Sequence, residues 1–208
     1  MALKKSADAP ALRLVEDRDR ERDLPGLIAQ LGDADAAVRR WAVRDLAAHP
    51  GAVAPLVARL NEEPDPSVRS ALFNSLAQLG GDSVVTSLLP MLRSEDPGLR
   101  NGTIEVLSGL PDAVAPHVEA LLQDPDTDVR IFTVNLLGDL RHARIVDWLA
   151  QVLMNDPAVN VAGAALEVLA EVGTVASLPA LRCARRRFGG DAFIAFAVDL
   201  AIERLGKP

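Results

Sequence analysis

The chain has few side chains that could do covalent or metal chemistry, and they are scattered. His49, His117 and His142 fall in separate stretches and none is followed by a glutamate. A metal centre needs ligands within reach of one ion, and a nucleophile needs a base beside it. Cys183 is the single cysteine, which excludes an internal disulfide and a cysteine metal cage; its apolar helical setting predicts a buried, inert thiol. Gly80-Gly81 and Gly189-Gly190 have no G-K-[ST] after them, so they read as turns and not as a phosphate loop.

The elements that would position these residues follow from composition and rhythm. The chain has 208 residues, 49% hydrophobic, 25% charged and 3% aromatic, with no Tyr and five Phe. Aliphatic side chains must therefore fill the interior, which suits helix packed on helix. The formal net charge of −7 opposes a nucleic-acid or anionic-membrane footprint. That charge is uneven: residues 1–23 are neutral, 24–177 carry −10, and 178–208 carry +3. Glu105, Asp112, Glu119, Asp139 and Glu167 interrupt the apolar segments, so no membrane span is expected. The opening MALKKSADAP lacks an apolar core region and a cleavage site, which predicts no secretory signal and a cytoplasmic protein.

The sequence repeats. Val38-Arg39, Val68-Arg69, Leu99-Arg100 and Val129-Arg130 place arginines at separations of 30, 31 and 30. Asp35, Asp65, Asp96 and Asp126 stand four residues before them, and Leu46, Leu76, Leu107 and Leu137 seven after. Upstream lie LPGLIAQL, VAPLVARL, VVTSLLPML and VAPHVEALL, apolar at spacings of three and four, the signature of a first helix. GDADAA, NEEPDPS, RSEDPG and QDPDTD supply Asp, Pro and Gly for a tight turn. Apolar residues at the arginine plus 3, 4 and 7 then mark one face of a second helix. A fifth unit loses the arginine, with Ala162 or Asn160 in its place depending on the alignment, and a sixth places Ile194-Ala195 at the valine-arginine site. Residues 1–23, with six basic and six acidic side chains, read as a charged leader, mobile or partly helical.

The D-x-x-V-R pattern with an Ala/Leu helix, over about residues 24–206, resembles HEAT repeats of the short bacterial type. The resemblance implies an all-α, right-handed α-solenoid of about six stacked helical hairpins over 24–208. It also implies a ladder in which Asp35, Asp65, Asp96 and Asp126 pair with Arg39, Arg69, Arg100 and Arg130 between neighbouring units, a structural role common to every repeat. Some HEAT-repeat enzymes bind iron through paired His-Glu motifs, and those pairs are missing here. DNA-alkylation glycosylases share HEAT-like repeats, but the acidic body would repel phosphate. Bilin lyases of the same repeat type make an accessory enzyme subunit the runner-up.

In such an array function belongs to the positions that differ between units. At the arginine plus 5 the row reads Arg44, Asn74, Glu105, Asn135 and Glu167; at plus 9 it includes Gln78, Asp139 and Glu171. At plus 2, Trp41 and Phe132 are separated by the small Ala71 and Gly102, a pattern for anchor pockets. Trp148, on a first helix, reads as core, and Arg182, Arg185, Arg186 and Arg187 read as a solvated basic face or a contact for an acidic partner. The expectation is a non-catalytic protein-binding or scaffolding module with no cofactor. Its expected partner is a protein, met through a basic or amphipathic segment, and neither nucleic acid nor a membrane.

Overall fold

A computed structural model describes residues 22–206; the leader expected over 1–23 lies almost wholly outside them. Six helical hairpins follow in order. The first pairs α1 (Leu24–Gln30) with α2 (Ala36–Leu46), and the second α3 (Val53–Glu62) with α4 (Pro66–Leu79). The third pairs α5 (Gly81–Leu88), prolonged by a 3-10 turn at Leu89–Arg93, with α6 (Pro97–Ser108). In the fourth, α7 (Pro111–Val114) and α8 (Val118–Leu122) flank a 3-10 turn at Ala115–His117 and precede α9 (Thr127–Asp139). The fifth is α10 (Ile145–Asn155) with α11 (Val159–Val172), the sixth α12 (Leu178–Arg187) with α13 (Ala192–Leu205). Pro90 and Pro116 explain the two 3-10 turns, because proline has no N–H to give the preceding turn.

The chain is an all-α solenoid, and no strand occurs among the described residues. Second helices pack in the order α2, α4, α6, α9, α11, α13, against a parallel row of first helices. Through α11 the second helices contact one another more extensively than the first helices do, so theirs is the shorter, inner layer. A continuous core runs from Leu27 to Ala201. Leu46, Leu76, Leu107, Leu137 and Leu169, all at the arginine plus 7, are fully buried, as is Trp148. Between α4 and α5 the chain turns on Gly80 and Gly81, both at positive φ (59° and 79°), which side chains with a Cβ rarely adopt.

The second helices start on side-chain caps. Asp35, Asp65, Asp96, Asp126 and Asp191 each accept from the backbone N–H two residues on. Capping settles the fifth unit: its N-cap is Ala158, which puts Ala162 at the arginine position. It also corrects the expected ladder. One cap oxygen is committed to its own helix, and two of the four arginines, Arg39 and Arg130, meet instead the acid two places before the next unit's cap.

Arg39 donates from Nε and Nη2 to Glu63 at 2.9 and 2.7 Å, and from Nη1 to the carbonyls of Asp33 and Ala34 in its own turn. Arg130 repeats this with Asp156 (2.7 and 3.2 Å) and the Asp124 carbonyl (2.8 Å). Only Arg69 reaches a capping aspartate, Asp96, at 2.8 Å. Arg100 has no carboxylate: Asp124 is held by Arg93, and the Arg100 guanidinium donates to the Ser94 carbonyl and lies 4.5 Å over the Phe132 ring. Where the fifth unit lacks its arginine, Arg187 of α12 donates to the carbonyls of Leu153 and Asp156.

Glu63 is fully buried, and burial alone would raise its pKa. Hydrogen bonds from Arg39, Arg59 and the Asp65 N–H outweigh that and hold the carboxyl at about 2. Two stability outcomes are expected. In denaturant melts, Arg130→Ala costs about 3–5 kcal/mol by stranding the buried Asp156 carboxylate, Arg39→Ala costs about 2 kcal/mol because Glu63 keeps Arg59 and the Asp65 N–H, and Arg100→Ala costs about 1 kcal/mol. Equal losses at all three positions would refute the assignment. Because the folded pKa of Glu63 is depressed, its contribution is complete above its ordinary value near 4.5 and is lost as pH falls toward 2. Glu63→Gln should therefore be destabilised at pH 7 and flatter in stability between those pH values.

Candidate protein-binding face

The plus-5 row lies where the repeat places it. Arg44, Asn74, Glu105, Asn135 and Glu167 are all exposed, on α2, α4, α6, α9 and α11 in turn. Gln78, Asp139 and Glu171 are exposed one turn further along. Two clefts on this face bring five of the eight together, while Asn135, Glu167 and Glu171 line neither. A cleft of about 190 Å³ between α2 and α4 is lined by Arg44, Asn74 and Gln78 together with Ser67 and Ser70. Between α6 and α9, a broader one of about 470 Å³ brings Glu105 and Asp139 together with Asn101 and Ser108. The serines and Asn101 were not foreseen, although the same helical register contains them.

Among the described residues no ion pair engages the carboxylates of Glu105, Asp139, Glu167 or Glu171. Like charges left exposed and unpaired along one face set up a negative potential and favour arrival of a cation. The opposite end differs: Arg44 sits 5.2 Å from the Trp41 ring, and Trp41 is 48% exposed. The polarity of the face thus runs from basic and aromatic at the first unit to acidic at the fifth.

The plus-2 row is less open than its small residues suggest. Phe132 is half-buried beneath Arg100, and Ala71 is buried. Over Gly102 the space is filled, since a Cβ there would come within 2.3 Å of the Phe73 ring. Phe73, at plus 4, packs across the unit boundary onto plus 2 of the next helix. Trp41 is therefore the exposed aromatic of that row.

A third cavity, about 430 Å³, opens between the fourth and fifth units on the side of the intra-hairpin turns. Its carboxylates Asp124 and Asp156 are already bound by Arg93 and Arg130. The histidines are apart: His117 contacts Asp82 at 3.2 Å, and His142 stacks on Trp148 at 4.9 Å. Cys183 is half-buried where a buried thiol was expected. Among the described residues no three His, Cys, Asp or Glu gather as a metal site, and no helix is long and apolar enough to cross a membrane.

A family model describing HEAT repeats matches residues 24–108 and 114–187, breaking where Pro111 opens the divided first helix of the fourth unit. The chain belongs to the HEAT-repeat family. Similar solved structures include the archaeal HEAT-like repeats protein from Thermococcus onnurineus NA1, at 18% identity and TM-score 0.47, covering 86% of this chain and 85% of that one. The complex of CpcE and CpcF of phycocyanin lyase from Nostoc sp. PCC7120 matches at 18% identity and TM-score 0.37, over 99% of each chain. Computationally designed armadillo repeat proteins for modular peptide recognition match at 16% identity and TM-score 0.39, over 87% of this chain and 99% of theirs. A search of curated proteins finds no match.

The two tryptophans of this HEAT-repeat chain give an optical readout. Trp41 is about half exposed and Trp148 is fully buried. In a Trp148→Phe variant, acrylamide should quench the remaining emission efficiently, and a ligand occupying the first two units should protect it. Emission insensitive to acrylamide would place Trp41 elsewhere.

Proposed function

We propose that this protein is a non-catalytic binding module that takes a basic or amphipathic protein segment along its second-helix face. The observation that carries the reading is the exposed acidic run of Glu105, Asp139, Glu167 and Glu171 on that face, which no ion pair among the described residues engages. A basic segment gains Coulomb contacts there without breaking any ion pair among those residues. The stacked helices are held by a continuous core, so the surface is formed before the partner arrives and little ordering entropy is lost on its side. Trp41 and Arg44 at the other end offer an amphipathic aromatic for an apolar or acidic residue of the same segment.

The test is charge reversal. Glu105→Lys, Asp139→Lys and Glu167→Lys together should weaken binding of a lysine-rich peptide by at least tenfold, about 1.4 kcal/mol, while leaving the melting curve unchanged because all three side chains are exposed. Raising the salt should weaken the wild type and narrow the difference. Binding indifferent to the triple reversal would move the site off this face.

A further inference from the structure

The sixth hairpin inverts the polarity of the array. Position plus 4 of each second helix faces the next unit, as Phe73 against Gly102 shows, and it is apolar in Val43, Phe73, Ile104, Val134 and Leu166. In α13 that position is Asp199, which accepts from Arg185 of α12 at 3.0 Å. The side of α13 turned away from the fifth unit is therefore polar at that position. The positions turned toward the inner face change the other way. Leu200 continues the plus-5 row after Glu167, and Phe193 and Phe196 lie on the same side of α13, one turn apart. Their exposures are 61% for Phe193, 69% for Phe196 and 56% for Leu200. Three large apolar side chains thus stand exposed together on one side of α13, the kind of contiguous apolar surface that contacts a partner.

We propose that Phe193, Phe196 and Leu200 form an apolar ledge closing the acidic face, and that it seats the apolar end of a protein segment whose basic residues lie along Glu167, Glu171, Asp139 and Glu105. This rests on the reading of the acidic face given above and adds the order of the ligand's residues. Charge complementarity selects this occupant. The ledge adjoins α11, whose Glu167 stands next to Leu200 in the same row; Arg204 of α13 is turned to the Ala170 and Glu171 carbonyls, so Glu167 is the charge beside the ledge that repels an anionic surface and attracts a basic flank. Neighbouring helix axes lie about 8–10 Å apart. A helical ligand thus carries its first basic residue about five to seven positions from its apolar pair, and an extended one about three.

Selection of random displayed peptides on the full chain tests this. Recovered peptides should combine a pair of large apolar residues with Lys or Arg at that spacing. Phe196→Ser with Leu200→Ser should bind them about tenfold more weakly, yet bind a purely basic peptide as the wild type does. If that double variant does not fold, Leu200→Lys alone is expected to give the same selective loss. Recovery of basic peptides without apolar enrichment, bound equally by the variant, would overturn the ledge and leave the acidic face standing. No basic peptide, or no effect of Glu167→Lys with Glu171→Lys, would overturn the reading of the face and the ledge with it. Dimerisation of the wild type that the double variant abolishes, or pelleting with phosphatidylserine vesicles, would assign the stripe to a second copy or to a membrane and overturn the proposal.

Discussion

The array depends on a guanidinium that reaches in two directions at once. Arg39 and Arg130 hold the carbonyls of their own turn and a buried carboxylate of the next unit. The planar fork makes this possible, and a lysine, a point charge on a flexible stem, could not fix both. The apolar core supplies most of the favourable free energy, but aliphatic contacts are non-directional and tolerate sliding. Buried charge is less forgiving. A unit rotated or shifted by a few ångströms would leave Glu63 or Asp156 without its arginine, so the ion pairs set the register that hydrophobic burial leaves loose.

Much of this was legible in the sequence because stacking repeats its requirements. Hairpins, turns, the buried leucine row and the core position of Trp148 follow from a thirty-residue rhythm and helical spacing alone. The partner of each arginine was not legible, since two acidic rows run through the turns: the capping Asp35, Asp65, Asp96 and Asp126, and a second row of Asp33, Glu63, Asp124 and Asp156, with Ser94 in the third unit. Spacings of 30, 31, 30 and 32 announce the second row as clearly as the first. Which row turns its oxygens to the arginine is decided by local geometry: a capping carboxylate spends one oxygen on the N–H groups of its own helix, and of the four caps Asp96 gives its other oxygen to a ladder arginine.

The face was legible by position and illegible by accessibility. Periodicity placed Glu105, Asp139 and Glu167 outward, and they are exposed. Phe132 shares a register with Trp41 yet ends half-buried, because Arg100, left without a carboxylate, lies over its ring. One departure in the third unit thus changes the surface of the fourth. Coupling of this kind passes between neighbouring units, and reading each unit in isolation misses it.

The loan of Arg187 sets the fifth unit apart from those before it. A hairpin that carries its own arginine is a part that satisfies its own turn carbonyls. The fifth is not such a part, since its turn carbonyls are satisfied from α12. The fifth and sixth hairpins are thus coupled, since losing the sixth alone would strip the fifth of the donor that its carbonyls use.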